Sequence, residues 1–299
     1  MPVKKLDIQF KEQFAMLKMI PRKDIFNEAS EGELSTNFKG TGIEFAGFRK
    51  YTFGDDASSI DWRASLRAHD VLVKEFESYK NVPIFFLFDV SDSMVFSSGT
   101  KTKAEYGAEL IYSLAVAFSR AGDAVGMGMF SDKLSNVFTP DFGGGITNLF
   151  KLKLDDPKNY GGVCDIKKAI LFLEYYLPEK VVIFLVSDFL GYRSNWASYL
   201  TSLSNKFEFI GVVIRDKRDY LFPKSGGQFY LKDPFSEDVR LVDVSKARKE
   251  YERLSAVRYK VIENVLLACR GDMIVLDSDE PFFDRVMDFM KQRSKKYVY

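Results

Sequence analysis

Residues 84–93 read IFFLFDVSDS: an apolar run that ends on Asp89, with serines at positions 91 and 93. A buried strand of this kind carries its last carboxylate to its own C-terminal end, where open α/β sheets place their ligand sites. Residues 181–188, VVIFLVSD, repeat the arrangement and end on Asp188. Around these two strands the pattern alternates. EYGAELIYSLAVAFSRA has apolar residues at Leu110, Ile111, Leu114, Ala117 and Phe118, a 3.6-residue period, and Gly122 follows as a helix stop. DIKKAILFLEYYL opens on Asp165, a good N-cap, and stops before Pro178. Further strands are read in AVGMGMF, LSNVFT, FEFIGVVI and MIVLDS, and further helices in SNWASYLTSLS, from about Ser245 to Cys269, and from Pro281 onward. QFYLKDPFSEDVRLVDV reads as a hairpin turned at Pro234 to Glu237. Strands alternating with helices predict a doubly wound, mostly parallel α/β sheet over residues 83–299.

Ahead of that domain the pattern differs. Residues 1–33 are charged and read as a helical segment broken at Pro21, and residues 34–82 show short β-type runs with turn residues, a β-rich appendage. The 43 basic and 42 acidic residues leave a net charge of +1, so charge gives no reason to expect nucleic acid or an anionic membrane as partner. Cys164 and Cys269 fit no disulfide framework, the first twenty residues lack the apolar core of a signal peptide, and no apolar stretch reaches membrane-spanning length. A cytoplasmic location is the expectation. His69, the one histidine, lies far in sequence from both strand-ending aspartates, so a Ser-His-Asp or Cys-His mechanism is not expected.

Asp89, Ser91, Ser93 and Asp188 together suggest a divalent metal site of hard oxygen ligands. Hydroxyls in place of further carboxylates leave the ion most of its charge, and an acidic side chain of another protein can then complete its shell. The competing reading is a phosphatase of the haloacid dehalogenase type, which also sets an aspartate after a first strand. That chemistry needs a second acid where Ser91 stands and a lysine near the second acidic strand, and VSDFLGYRSN has none.

The order of motifs resembles the bacterial and archaeal family known as domain of unknown function 58, whose core is von Willebrand factor A-like. The resemblance runs from about residue 34 to the end and is strongest in GTGIEFAGFRKYTFGDDASSIDWRASLRAHDVLVKEFESY, followed by DVSDSM, FTPDFGGGITNLFKL and VSDFL. It implies a von Willebrand factor A-like fold and a non-catalytic protein–protein interaction module. It also implies a metal-ion-dependent adhesion site at Asp89, Ser91, Ser93 and Asp188, holding Mg²⁺ or Mn²⁺. The implied partner is a MoxR-type AAA+ ATPase, acting in chaperone-like remodelling or maturation of client complexes. Where the family carries a threonine ligand this chain has Cys164, in GGVCDIKKAI; a thiol suits Mg²⁺ poorly, so weak metal binding is expected. Thr147 is a substitute one segment early.

Other motifs read as structural. Asp55, Asp56 and Asp61 in FGDDASSIDWR are turn-type residues, and Asp61 and Trp62, with Arg49, Arg63 and Arg67, are expected to lock the appendage to the main domain or to face a partner. PDFGGG lacks the Gly-Lys-Ser/Thr ending of a phosphate loop, and KQRSKKYVY reads as a solvated tail.

Overall fold

In the computed structural model, which describes residues 6–15, 17–20, 41–52, 56–192, 196–222, 227–232 and 239–297, the expected strands assemble into one six-stranded sheet. The strands are β3 (Pro83–Asp89), β4 (Ala124–Phe130), β5 (Leu134–Asp141), β6 (Val181–Ser187), β7 (Phe207–Arg215) and β10 (Asp272–Asp277), in spatial order β10-β7-β6-β3-β4-β5. All pairings are parallel except that of the edge strand β5 with β4. The chain divides into two compact units, residues 1–28 with 82–299, and residues 29–81.

The apolar run of β3 is explained by cover on both faces. Ile84, Phe86 and Phe88 belong to one core cluster, while Phe85 and Leu87 belong to the other. Each of these phenylalanines contributes about 1.5–3 kcal/mol by leaving water. The first core holds helix α2 (Lys103–Arg120), buried from Lys103 to Phe118. Thr102 and Glu105 form a capping box at its start. Gly107 brings α2 close to β3, since a Cβ there would lie 2.7 Å from Phe88 Cε2. On the other face lie α4 (Ile166–Tyr176), α5 (Trp196–Leu203) and α6 (Val244–Ala268), with Ile166, Ile170, Leu173, Leu200, Ile262 and Leu266 directed inward. Helices α3 (Gly145–Leu154) and α7 (Phe283–Tyr297), with the hairpin of β8 (Gln228–Lys232) and β9 (Val239–Asp243), complete the unit. The expected hairpin turn at Pro234 to Glu237 lies outside the described residues.

The N-terminal segment departs from expectation. Where a helix was predicted over residues 1–33, the described residues 6–15 and 17–20 contain none. They form an extended strap along α2. Asp7 N donates to Glu105 Oε1 at 2.6 Å, Gln9 N to Glu109 Oε1 at 2.7 Å, and Ser113 Oγ to Lys11 O at 2.7 Å. Leu6, Phe14, Leu17 and Met19 are buried. The strap supplies the second cover that a helix apolar all round requires. Asp123 then accepts Met19 N at 3.3 Å and Val82 N at 3.0 Å, so one buried carboxylate holds both the end of the strap and the start of β3. Burial pushes the Asp123 carboxyl up to about 6.

In the smaller unit, β1 (Thr41–Lys50) pairs antiparallel with β2 (Leu72–Lys80), with an irregularity between Phe45 and Gly47. Two aspartates between them, Asp56 and Asp61, act as caps. Asp56 accepts Ser58 N ahead of a short 3₁₀ turn, and Asp61 Oδ1 accepts Arg63 N at 3.0 Å and Ala64 N at 2.9 Å at the start of α1 (Trp62–Ala68). His69 ends α1 in the left-handed region, with φ 56°. Asp55 lies outside the described residues.

Candidate functional site

Strands β3 and β6 are parallel neighbours paired as Phe88 with Val186, so their ends, Asp89 and Ser187, lie side by side. Ser187 Oγ donates to Asp89 Oδ2 at 2.6 Å and Ser91 N donates to Asp89 Oδ1 at 3.0 Å. Cys164 Sγ donates to Asp89 Oδ2 at 3.6 Å. On the other side, Ser93 Oγ donates to Asp188 Oδ1 at 3.2 Å, and the Ser91 and Ser93 hydroxyl oxygens are 3.3 Å apart. Phe189, which follows Asp188, has φ 55°, a strained conformation for a bulky residue. In that geometry Phe189 N donates to Ser187 Oγ at 2.9 Å and Leu190 N to Asp188 Oδ1 at 2.9 Å, which aims both side chains at the edge.

The structure thus brings Asp89, Ser91, Ser93, Cys164 and Asp188 together in one hydrogen-bonded chain. Thr147 is not part of it; its hydroxyl donates to Gly144 O at 2.8 Å within its own helix start. Two groups that the sequence reading missed complete the cluster. Lys103 Nζ donates to Asp188 Oδ2 at 2.6 Å and to Asp219 Oδ2 at 2.9 Å. The one available signal was a lysine on the first turn of a largely apolar helix, where the helix dipole disfavours a cation. Asp219 gave none, because its place depends on the short turn after β7.

The cluster is closed to solvent. Asp89 and Ser91 are 0% exposed, Lys103 and Asp188 1%, and Ser93 2%. Asp89 is therefore fully enclosed. Burial, reinforced by Asp188, pushes the Asp89 carboxyl up to about 6. Burial would lower the Lys103 ammonium, but Asp188 and Asp219 outweigh it and hold it above its ordinary value. Burial, with the nearby Asp89 and Asp188 charges, pushes the Cys164 thiol far up, so it stays protonated. Tyr192 Oη is also buried here, and it makes no hydrogen bond among the described residues.

Asp188 and Asp219 thus share the Lys103 ammonium, while Asp89 accepts only neutral donors. A divalent cation between Asp89 and Asp188 would offset the excess negative charge. Oxygen ligands adjacent around Mg²⁺ at about 2.1 Å lie about 3 Å from each other; the Ser91–Ser93 and Ser93–Asp188 separations of 3.3 and 3.2 Å are close to that. The oxygen donors fit a hard cation; the protonated thiol of Cys164 does not. No group of three or more His, Cys, Asp or Glu among the described residues could hold a metal, so an ion here would depend on the hydroxyls.

The model of the family described as "Protein of unknown function DUF58" matches residues 47–260. Solved structures similar to this chain include an aerotolerance-related membrane protein from Bacteroides fragilis NCTC 9343 carrying multiple mutations to serines (16% identity, 72% of this chain and 100% of that one, TM-score 0.47). Another is a conserved hypothetical protein, BatB, from Bacteroides thetaiotaomicron (14% identity, 72% and 98%, TM-score 0.46). A third is von Willebrand factor type A from Catenulispora acidiphila (12% identity, 74% and 43%, TM-score 0.40). No curated protein matches.

Proposed function

The chain belongs to the DUF58 family, and from that premise we propose that it is a non-catalytic protein-interaction module whose sheet edge holds one divalent cation, Mg²⁺ or Mn²⁺. Asp89, Ser91, Ser93 and Asp188 would hold the ion, with Cys164 beside them as a weak point. The observation that supports this is the charge of the buried cluster, in which carboxylates outnumber the single Lys103 ammonium, beside hydroxyls at ligand spacing. An uncompensated buried charge is costly, and a cation removes that cost.

A phosphatase reading fares worse. Both oxygens of Asp89 already accept hydrogen bonds, and neither is open to an incoming phosphate. Ser91 stands where the second acid would be needed.

Engagement of a partner's carboxylate by the cation requires the turn after β3 to open, because Ser91 and Ser93 are enclosed. That turn is tied down by Ser98 N, which donates to Asp216 Oδ2 at 2.7 Å. The partner in this reading is a MoxR-type AAA+ ATPase together with a client that supplies the acidic side chain; the family resemblance supports it. Calorimetric titration with Mn²⁺ tests the ion, and the Ser93→Ala variant is expected to bind it at least about tenfold more weakly. Binding of a purified MoxR-type ATPase, with and without chelator, tests the partner. Equal Mn²⁺ affinity in wild type and Ser93→Ala would remove the cation from this site.

A further inference from the structure

Helix α1 turns its two large apolar side chains, Trp62 and Leu66, outward. Ser65 is its one buried residue. Ser65 Oγ donates to Asp61 O at 2.7 Å and accepts Leu72 N at 2.9 Å, so the inward contact of the helix is a hydrogen-bonded serine. Trp62 and Leu66, one turn apart on the same face, are 65% and 77% exposed. Scattered exposed apolar residues are ordinary, but a tryptophan and a leucine stacked along one helix face form a continuous strip.

Arg63 and Arg67 run beside that strip with the same one-turn spacing, and both are exposed. Neither guanidinium has an ion pair or hydrogen bond among the described residues. The neighbouring carboxylates are engaged elsewhere: Asp56 and Asp61 cap backbone amides, and Asp70 pairs with Lys50 at 2.7 Å. Two unpaired arginines next to a tryptophan and a leucine match the composition of interaction hot spots, and an arginine fork fits a carboxylate with two bonds.

We propose that the Trp62–Leu66 face of α1 is a docking surface for an acidic segment of another protein, one that sets apolar side chains on Trp62 and Leu66 and carboxylates on Arg63 and Arg67. The surface is independent of the cation at the sheet edge, and it gives the small unit a recognition role of its own. Opposite charge makes the choice between occupants. A second copy of this face would set arginine against arginine.

The test uses the full chain with Trp196→Phe, which leaves Trp62 as its one tryptophan, and keeps chelator present so that the sheet-edge site plays no part. The probe is a short synthetic peptide in which Glu alternates with Leu and Phe, compared with the same peptide carrying Lys for Glu. The Glu peptide is expected to shift Trp62 emission to the blue and to bind more weakly as salt rises. Arg63→Glu with Arg67→Glu should weaken it at least about tenfold and should improve binding of the Lys peptide. The milder Arg63→Gln should give a smaller loss in the same direction, and thermal melts confirm that each variant folds. Equal binding of both peptides would overturn the proposal, as would preference for phosphatidylserine vesicles or a single-stranded oligonucleotide. So would a Trp62 already shielded from acrylamide in the free chain, since the face would then be covered by the protein itself.

Discussion

The sheet edge and helix α1 break the ordinary rule of burial in opposite directions. At the edge, Lys103, Asp89, Asp188 and Asp219 are enclosed, although charged residues are almost never fully buried unless paired. On α1, Trp62 and Leu66 face outward while a serine faces in. The enclosed cluster is held by bonds between distant parts of the chain, so disturbing it should affect the stability of the whole unit. Among the described residues the helix face makes no comparable contacts, and changes there should affect recognition while leaving stability alone. Inverted burial therefore has two different meanings, and the direction of the inversion separates them.

The largest effect that can sharpen this contrast is expected at Lys103. Lys103→Met leaves the buried Asp188 and Asp219 without their counter-charge and should lower the unfolding free energy in chelator by about 3–5 kcal/mol. Added Mg²⁺ should restore more of that loss in the variant than it adds to the wild type, as read by denaturant titration. A loss below about 1 kcal/mol would mean that Lys103 does not neutralise the edge.

Next in size is the pH dependence of Asp89. Its folded value, about 6, lies above the ordinary 3.8, so the folded state holds the proton more tightly. The resulting stabilisation is complete below the ordinary value and is lost as pH rises through about 6. In chelator, the Asp89 share of the fall over that window is on the order of 2 kcal/mol, and Asp89→Asn should reduce the slope by that share, leaving the part that Asp123 contributes. With saturating Mg²⁺ the slope should weaken or reverse, because the ion binds the deprotonated form. An identical slope with and without the metal would separate Asp89 from any cation.

A smaller effect belongs to Cys164→Thr. The side chain sits against Asp89 Oδ2, where a hydroxyl would replace a thiol. Mg²⁺ affinity should rise a few-fold by titration calorimetry while stability moves by less than about 1 kcal/mol. Unchanged affinity would leave Cys164 as a packing residue. The smallest stability change is expected for Trp62→Ser with Leu66→Ser, within about 0.5 kcal/mol each. A large drop in melting temperature for that pair would end the contrast, since it would show that the face is packed.

Much of this was legible before any coordinates. IFFLFD and VVIFLVSD announced two central parallel strands, because continuous apolar runs and their terminal aspartates are local features. The N-terminal strap was misread as a helix although Leu6, Ile8 and Phe10 alternate in the two-residue period of an extended chain. Its conformation is fixed by Glu105 and Glu109 about a hundred positions away, which accept its amides.

By itself the sequence determined the α/β class and the strand ends that carry Asp89 and Asp188. These depend on local periodicity. Only the tertiary structure decided that Lys103 meets Asp188 across 85 positions and Asp219 across 116, that the hydroxyls are enclosed, and that α1 turns its apolar face outward. Ion pairing and burial follow from where packing sets side chains in space, and no local pattern encodes that distance.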